Sequence, residues 1–269
     1  MEDKYIMKEL KFSLYAIKKN IQNSAELRTS FLMNVVGMAI NNISFIILWG
    51  FFVKSVGIIG GWTVADIVGL QGFVALCFGI VFSAGDGIRR LADYAASGSF
   101  DRFMLSPKNL LVRIATASFG TSALGDMVFG IVCLVIYASL LHASILQILL
   151  MVLLVFIAVV VFFSAAVVIY STTFYFTDAS GTVGGFFELF LSPALFHGGA
   201  FQGVMRFIFT FLVPSLLIGT LPVEIVRDLS FKKLLMVSVL AIIWFLLSIK
   251  LFYRAVRKYE STNFMTFGN

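Results

Sequence analysis

The chain has 269 residues, of which 60% are hydrophobic and 13% are charged, and its formal net charge is +6. Soluble domains usually carry about 25% charged residues. A soluble fold cannot bury this much apolar surface, so lipid must cover it and the sequence predicts an integral membrane protein. The positive charge does not indicate nucleic-acid binding, because Lys and Arg flank the apolar runs in the pattern that sets membrane orientation.

Residues 4–24 are predicted to form an amphipathic helix that is too charged to span a bilayer. Apolar residues recur at helical spacing, while lysines occupy the other faces. We expect residues 1–27 to lie in the cytoplasmic interface, with the lysines towards anionic head groups. Packing on a soluble partner is the alternative. The apolar positions are Ile6, Leu10, Leu14, Ile17 and Ile21.

Residues 28–254 are predicted to form a domain of six membrane spans, followed by a cytoplasmic tail at 255–269. Each span approaches or exceeds the roughly 20 residues needed to cross the hydrocarbon. The turn from His142 to Ser144 is short enough only for a tight hairpin. The expected spans are Phe31 to Val53, Val64 to Ser83, Ile114 to Leu141, Ile145 to Tyr170, one from about Gly181, and Leu234 to Tyr253.

Positive charge predicts the orientation. Lys and Arg are concentrated in the N-terminal segment, in the loop 84–113 and in the C-terminal segment, so these should be cytoplasmic and the number of crossings even. Hydropathy alone allows an extra crossing within 181–222, which would place the basic tail outside. Pro193, Pro214 and Pro222 instead favour a re-entrant hairpin at 193–230, entering from the outer face between the fifth and sixth spans.

Sequence motifs for catalysis are absent. The chain contains no Gly-x-x-x-x-Gly-Lys-Ser/Thr segment, no His-Glu-x-x-His and no Gly-x-Ser-x-Gly. Cys77 and Cys133 lie in apolar runs, without a pair spacing or an adjacent His, so neither a disulfide nor a metal site is predicted. We therefore expect no enzymatic activity in this chain.

The loop 84–113 contains Gly98-Ser99-Phe100-Asp101-Arg102-Phe103, followed by Pro107-Lys108-Asn109-Leu110. It resembles the Gly-x-Phe-Asp-x-hydrophobic-Leu-x-x-Pro pattern of a bacterial branch of the type-2 ABC transporter permeases. The segment from Pro193 to Pro222 is similar to the outer-face hairpin of the same branch. The amphipathic N-terminal helix and the six-span plan agree with this resemblance, which covers nearly the whole chain.

The resemblance implies a permease subunit of an ABC exporter in a bacterial cytoplasmic membrane, with both termini cytoplasmic. It implies a second permease subunit, of the same or a different chain, and two ATPase subunits that bind ATP and Mg²⁺. The loop would dock on an ATPase through exposed aromatic and apolar anchors with orienting charges. The alternative is a solvated loop whose charges only set topology. The candidate coupling residues are Phe100, Asp101, Arg102, Phe103, Leu105 and Pro107.

Two acidic residues fall inside predicted spans, Asp126 near the middle of the third and Glu188 in the fifth. Charges at such depth normally face a cavity or a partner. They could line the pathway of a cationic or amphipathic substrate, or form structural hydrogen bonds. They also support a rival function, an ion-driven secondary transporter or channel. A membrane-embedded lipid enzyme ranks last, because acidic, His and Cys residues are not clustered.

Overall fold

The computed structural model describes residues 11–22, 28–56, 61–105, 107–176 and 179–259. Every element of regular secondary structure within these ranges is helical, which confirms the all-α class. Short 3₁₀ and π segments join several of the helices. The α-helices are α1 (11–22), α2 (Arg28–Val56), α3 (Val64–Gly85), α4 (Leu91–Ala96), α5 (Asp101–Met104), α6 (Leu110–Ala115), α7 (Ala123–Leu140), α8 (Ile145–Ser171), α9 (Ala179–Leu195), α10 (Gly203–Phe207), α11 (Thr220–Asp228) and α12 (Phe231–Val256).

Among the described residues, four helical segments are long and apolar enough to cross a membrane. Helices α3, α8 and α12 lie where the second, fourth and sixth spans are predicted, and their ends agree to within a few residues. The predicted first span falls in α2, and the predicted fifth falls in α9, which has 17 residues. The total of six spans therefore stays a prediction. The four segments are Val64–Ala96, Ala123–Leu140, Ile145–Tyr175 and Phe231–Val256.

Helix α3 is the centre of the bundle. It packs against α2, α7, α8 and α11. In its most apolar stretch of 18 residues 83% of the residues are buried, compared with 17% in the corresponding stretch of α12. Its contact with α7 is close, because Gly79 and Gly130 leave no room for a Cβ against Met127 and Leu76 of the facing helix. Small residues at such a crossing let two backbones approach. The glycines of α7 thus serve packing within one chain.

Three of the long helices begin with a polar cap. Thr63, Ser144 and Ser230 precede α3, α8 and α12, and each side-chain oxygen accepts a hydrogen bond from a backbone N–H of the first turn. Thr63 and Ser144 complete capping boxes with Asp66 and Gln147. Caps of this kind satisfy amide groups that a helix start leaves unbonded. They explain why these helices begin where they do.

The four long helices run between two ends of the bundle, which we name the loop end and the α11 end. Helices α3 and α8 start at the α11 end, while α7 finishes there. Tyr137, near the end of α7, donates through its hydroxyl to Val223 O at 3.4 Å. Gln147, in the first turn of α8, donates through Nε2 to Val226 O at 3.0 Å. These bonds hold α11 against the α7–α8 hairpin.

The predicted start of the third span, at Ile114, is wrong. Helix α6 ends at Ala115, residues 116–122 are not helical, and α7 begins at Ala123. The backbone N–H of Gly120 donates to Phe82 O at 3.1 Å, and the hydroxyl of Ser118 donates to Asp86. The backbone N–H of Gly120 thus bonds to another segment and not to a carbonyl oxygen of its own, and the Ser118 side chain adds a second tie to the end of α3. Asp126 consequently lies in the first turn of α7 and not at mid-span.

The region 193–230 is broken into short elements, as its prolines predict. Pro193 lies inside the last turns of α9, and a 3₁₀ segment begins at Pro214. Between them lie α10 and a π-helical segment, Ile208–Leu212. A re-entrant course through the outer face remains a prediction.

Candidate functional site

The polar loop predicted to couple to an ATPase folds into a structured layer, the loop platform, made of residues 86–105 and 107–118. Phe100 is fully buried in it, with its ring centroid 5.0 Å from that of Phe174 and 4.7 Å from that of Tyr259. Phe103 is also buried, with its ring centroid 5.0 Å from that of Tyr94. The prediction that both phenylalanines are exposed anchors is therefore wrong, because the platform uses them as its own core.

Asp86 holds the other side of the platform together. This buried carboxylate forms ion pairs with Arg89 and Arg90, and its Oδ2 accepts a hydrogen bond from the hydroxyl of Ser118 at 2.9 Å. Gly87, next to it, lies so close to the carbonyl oxygen of Ile114 that an added Cβ would overlap that oxygen. The end of α3 is thereby fixed to the segment that precedes α7.

The platform presents a small exposed tip, residues 102, 104, 105 and 107. Leu105 is 87% exposed and Met104 is 52% exposed. Arg102 and Pro107 are exposed beside them, and Asp101 is half-buried. The Arg102 guanidinium lies 5.1 Å from the ring centroid of Phe103. The structure thus separates the six candidate coupling residues into core residues and surface residues.

Helix α1 lies against the platform. Asn20 Nδ2 donates to Thr116 O at 2.9 Å, and Lys108 Nζ lies 5.5 Å from the ring centroid of Phe12. Leu14 and Tyr15 remain exposed. The rest of the predicted interfacial segment, residues 1–10 and 23–27, and residues 260–269 of the predicted tail lie outside the described residues.

A second group of charges, the ion cluster, lies at the α11 end. Buried Glu224 accepts hydrogen bonds from Arg206 and from Lys233, each at 2.8 Å. Buried Asp66, at the start of α3, pairs with Arg227 at 3.3 Å. Asp228 pairs with both Arg227 and Lys233. Burial tends to raise the pKa of Asp228, but hydrogen bonds from Arg227 and Lys233 outweigh it and hold the pKa below its usual value.

The ion cluster was not predicted. Glu224 and its partner Arg206 are 18 positions apart, and Asp66 and Arg227 are 161 positions apart. Periodicity within one helix does not detect such pairs. The available signal was the presence of Asp66 and Glu224 beside apolar runs, where an acidic residue normally has a partner.

The two predicted pathway acids are in different surroundings. Asp126 is buried and lines a cavity between α2, α3, α7 and α9, where its Oδ1 accepts a hydrogen bond from Asn42 Nδ2 at 2.5 Å. Glu188 is exposed on α9 and does not line that cavity. The structure therefore does not bring the two carboxylates to one site.

Metal and thiol chemistry find no support in the part of the chain that the structure describes. No group of three or more His, Cys, Asp or Glu side chains there could hold a metal ion. Cys77 and Cys133 are buried and unpaired within the bundle, where they occupy the space of small apolar residues.

Comparison with known proteins gives one result. No curated protein and no solved structure matches the chain. The family model described as "ABC-2 family transporter protein" matches residues 38–263, which include the four long apolar helices, the loop platform and the α11 end. The match covers most of the sequence, and the chain belongs to the ABC-2 family of transporter proteins.

Proposed function

We propose that this chain is the transmembrane permease subunit of an ATP-binding-cassette exporter, driven by separate ATPase subunits that dock at the loop platform. Membership of the ABC-2 family supports a permease that works with ABC ATPases. The observation that carries the docking site is an exposed apolar tip, Met104 and Leu105, on a layer whose own core is filled. Exposed apolar residues on a rigid support are typical of a contact surface.

The platform is connected to the ends of all four long helices. Asp86 follows α3, and Ser118, bonded to it, precedes α7. Phe100 contacts Phe174, which extends α8, and Tyr259, which follows α12. A displacement of the tip by an ATPase would therefore move the ends of these helices together. Closely packed interiors transmit such displacements because they deform little.

The orientation and assembly complete the proposal. Arg89, Arg90, Arg102, Lys108 and Arg113 concentrate positive charge at the loop end, which we place on the cytoplasmic side of a bacterial membrane together with both termini. A second permease subunit, identical or different, would complete the pathway, and ATP with Mg²⁺ would bind to the ATPases. Family membership does not favour the rival secondary transporter or channel.

The test is affinity purification of the tagged chain from its native membranes in mild detergent, followed by mass spectrometry. We expect an ATPase with a Walker A motif to co-purify with the parent chain and to be lost with Leu105→Ser. Val204→Ser is the matched control, because Val204 is 74% exposed on α10, outside the platform. That variant should retain the ATPase.

Two results would contradict the proposal. Absence of an ATPase from every preparation of the parent chain would refute the ABC function. Retention of the ATPase by Leu105→Ser together with Met104→Ser would refute docking at the tip while leaving the ABC function intact.

A further inference from the structure

The described residues include four buried acidic side chains, of which three form ion pairs and one does not. Asp66 pairs with Arg227, Asp86 with Arg89 and Arg90, and Glu224 with Arg206 and Lys233. Asp126 is 3% exposed, and the structure brings no cation within ion-pair distance of it in the described ranges. Buried carboxylates are normally paired, since an unpaired one is costly. Asp126 therefore lacks a partner that every comparable acid has.

The carboxylate has an oxygen to offer a ligand. Asp126 Oδ1 accepts from Asn42, whereas Oδ2 is buried and has no hydrogen-bond partner among the described residues. The cavity that Asp126 lines has a volume of about 130 Å³, several times the roughly 30 Å³ that one water occupies in the liquid. It can hold a chemical group larger than a single water.

The amides around the cavity present acceptors. Gln71 Nε2 donates to Leu195 O at 3.2 Å, and Asn42 Nδ2 donates to Asp126. Both partners only accept hydrogen bonds, so the amide nitrogens must face them. The oxygens Gln71 Oε1 and Asn42 Oδ1 receive no donor from the described residues. A carboxylate oxygen and two amide oxygens together favour a positively charged group with several N–H donors.

Apart from Asn41, the remainder of the cavity wall is apolar. Phe78 contributes an aromatic ring to this wall. The other apolar residues belong to α2, α3 and α9, and they would accommodate a hydrocarbon body attached to the charged group. They are Met38, Val74, Ala75, Leu191 and Leu195.

We propose that the Asp126 cavity binds the ammonium group of a cationic amphiphile, and that this class of molecule is the substrate of the permease. The assignment of the ligand as substrate depends on the proposed function. The ammonium group donates to Asp126 Oδ2, Asn42 Oδ1 and Gln71 Oε1, and supplies the missing counter-charge. The apolar part of the molecule lies against the hydrocarbon half of the wall.

The position of Asp126 suits entry from the loop end. The residue lies in the first turn of α7, which starts at that end. The N-terminus of a helix stabilises a nearby negative charge.

The test is calorimetric titration of hexylammonium chloride into the full-length chain in lipid nanodiscs, with empty nanodiscs subtracted. We expect saturable binding to the parent, weakened about 10- to 100-fold in Asp126→Asn, because a charge-assisted hydrogen bond is lost. Asp93→Asn is the matched control, since Asp93 is exposed on α4. It should bind like the parent. Hexanol, which has the same chain without the charge, should bind weakly to all three.

Three results would overturn the proposal. They are equal binding of hexylammonium by the parent and a folded Asp126→Asn, equal binding of hexanol and hexylammonium by the parent, and displacement of hexylammonium by millimolar potassium. The last would assign the cavity to an inorganic cation. If Asp126→Asn does not fold, Ala75→Leu fills the cavity without touching the carboxylate and should abolish hexylammonium binding.

These titrations use the permease alone, so they do not depend on an ATPase. Absence of an ATPase from every preparation of the parent chain, with hexylammonium binding intact, would refute the exporter function and leave the ammonium site. The converse result would refute the site and leave the exporter function.

Discussion

The two ends of the bundle are held together by different interactions. At the α11 end, the ion cluster links residues that lie far apart in the chain, and residues 221–226 of α11 are buried. At the loop end, Asp86 pairs with arginines three and four residues away and accepts a hydrogen bond from Ser118, and buried aromatic rings pack around Phe100. The loop end alone combines this core with a strongly exposed leucine at its tip.

The difference indicates what each end is built to do. Long-range ion pairs keep α3, α10, α11 and α12 in one arrangement, so the α11 end resists rearrangement. The loop end is a self-contained layer that is attached to four helix ends and presents a contact surface. Substitutions at the two ends should therefore differ in their effects on stability.

Phe100→Ala should have the largest effect. Removing a fully buried phenylalanine leaves a cavity, which costs about 3–5 kcal/mol. We expect a large decrease in the Tm of the purified chain in detergent. Leu105→Ala, two residues after the buried Phe103 and itself exposed, should change the free energy of unfolding by no more than about 0.5 kcal/mol and so leave the Tm close to that of the parent. Equal Tm values for the two variants would show that the aromatic core does not hold the platform.

Gly87→Ala should have the second-largest effect on stability. The added Cβ would overlap the carbonyl oxygen of Ile114, and backbone must move to relieve the overlap, at a cost of about 2–3 kcal/mol. Gly85→Ala is the control, because its added Cβ would meet Phe163 at an ordinary contact distance of 3.9 Å. Thermal unfolding in detergent should separate the two variants. A Gly87→Ala chain as stable as Gly85→Ala would show that the platform is loosely packed.

Glu224→Gln should have a smaller effect at the α11 end. Arg206 loses its counter-charge and Lys233 keeps only Asp228, but the side chains of Arg206 and Lys233 are 36% and 34% exposed, so water compensates in part. We expect a loss of about 1–2 kcal/mol, below the roughly 3–5 kcal/mol typical of a fully buried pair. The measurement is Tm at low and high salt. An unchanged Tm would contradict the role of the ion cluster in holding this end.

Asp228→Asn should have the smallest effect, and the effect should depend on pH. The side chain is 41% exposed, so its ion pairs contribute less than about 1 kcal/mol. Its pKa in the folded chain is held below the usual value of 3.8, so the folded state favours the ionised form. The stabilisation is present above pH 3.8 and is lost as pH falls through the lower folded pKa. The difference in Tm between parent and variant should narrow on acidification; a widening difference would contradict the assignment.

The long helices were predictable because their signals are local. Apolar runs and the caps Ser144 and Ser230 locate α8 and α12, and the three-residue turn at 142–144 joins α7 to α8 as expected. The start of α7 was not predictable from hydropathy. Residues 116–122 are mildly apolar, and the chain leaves the helix there because Ser118 and Gly120 bond to Asp86 and Phe82.

The candidate site was predictable only in part. A phenylalanine in a polar loop can be a contact residue or a local core, and the partners that decide this for Phe100 lie 74 and 159 positions away, at Phe174 and Tyr259. Asp126 was recognised as unusual from its apolar context alone. Its surroundings, Asn42 and Gln71, come from two other helices and required the fold.

The bonds that hold α11 have a consequence for how this protein can change over evolutionary time. Tyr137 and Gln147 donate to main-chain oxygens of Val223 and Val226, and a main-chain oxygen is present whatever side chain the residue carries. Replacements of Val223 and Val226 by other apolar residues that keep α11 helical would preserve both bonds. At these two positions mutational drift is therefore tolerated, whereas the two donors on the α7–α8 hairpin are positions where selection should act.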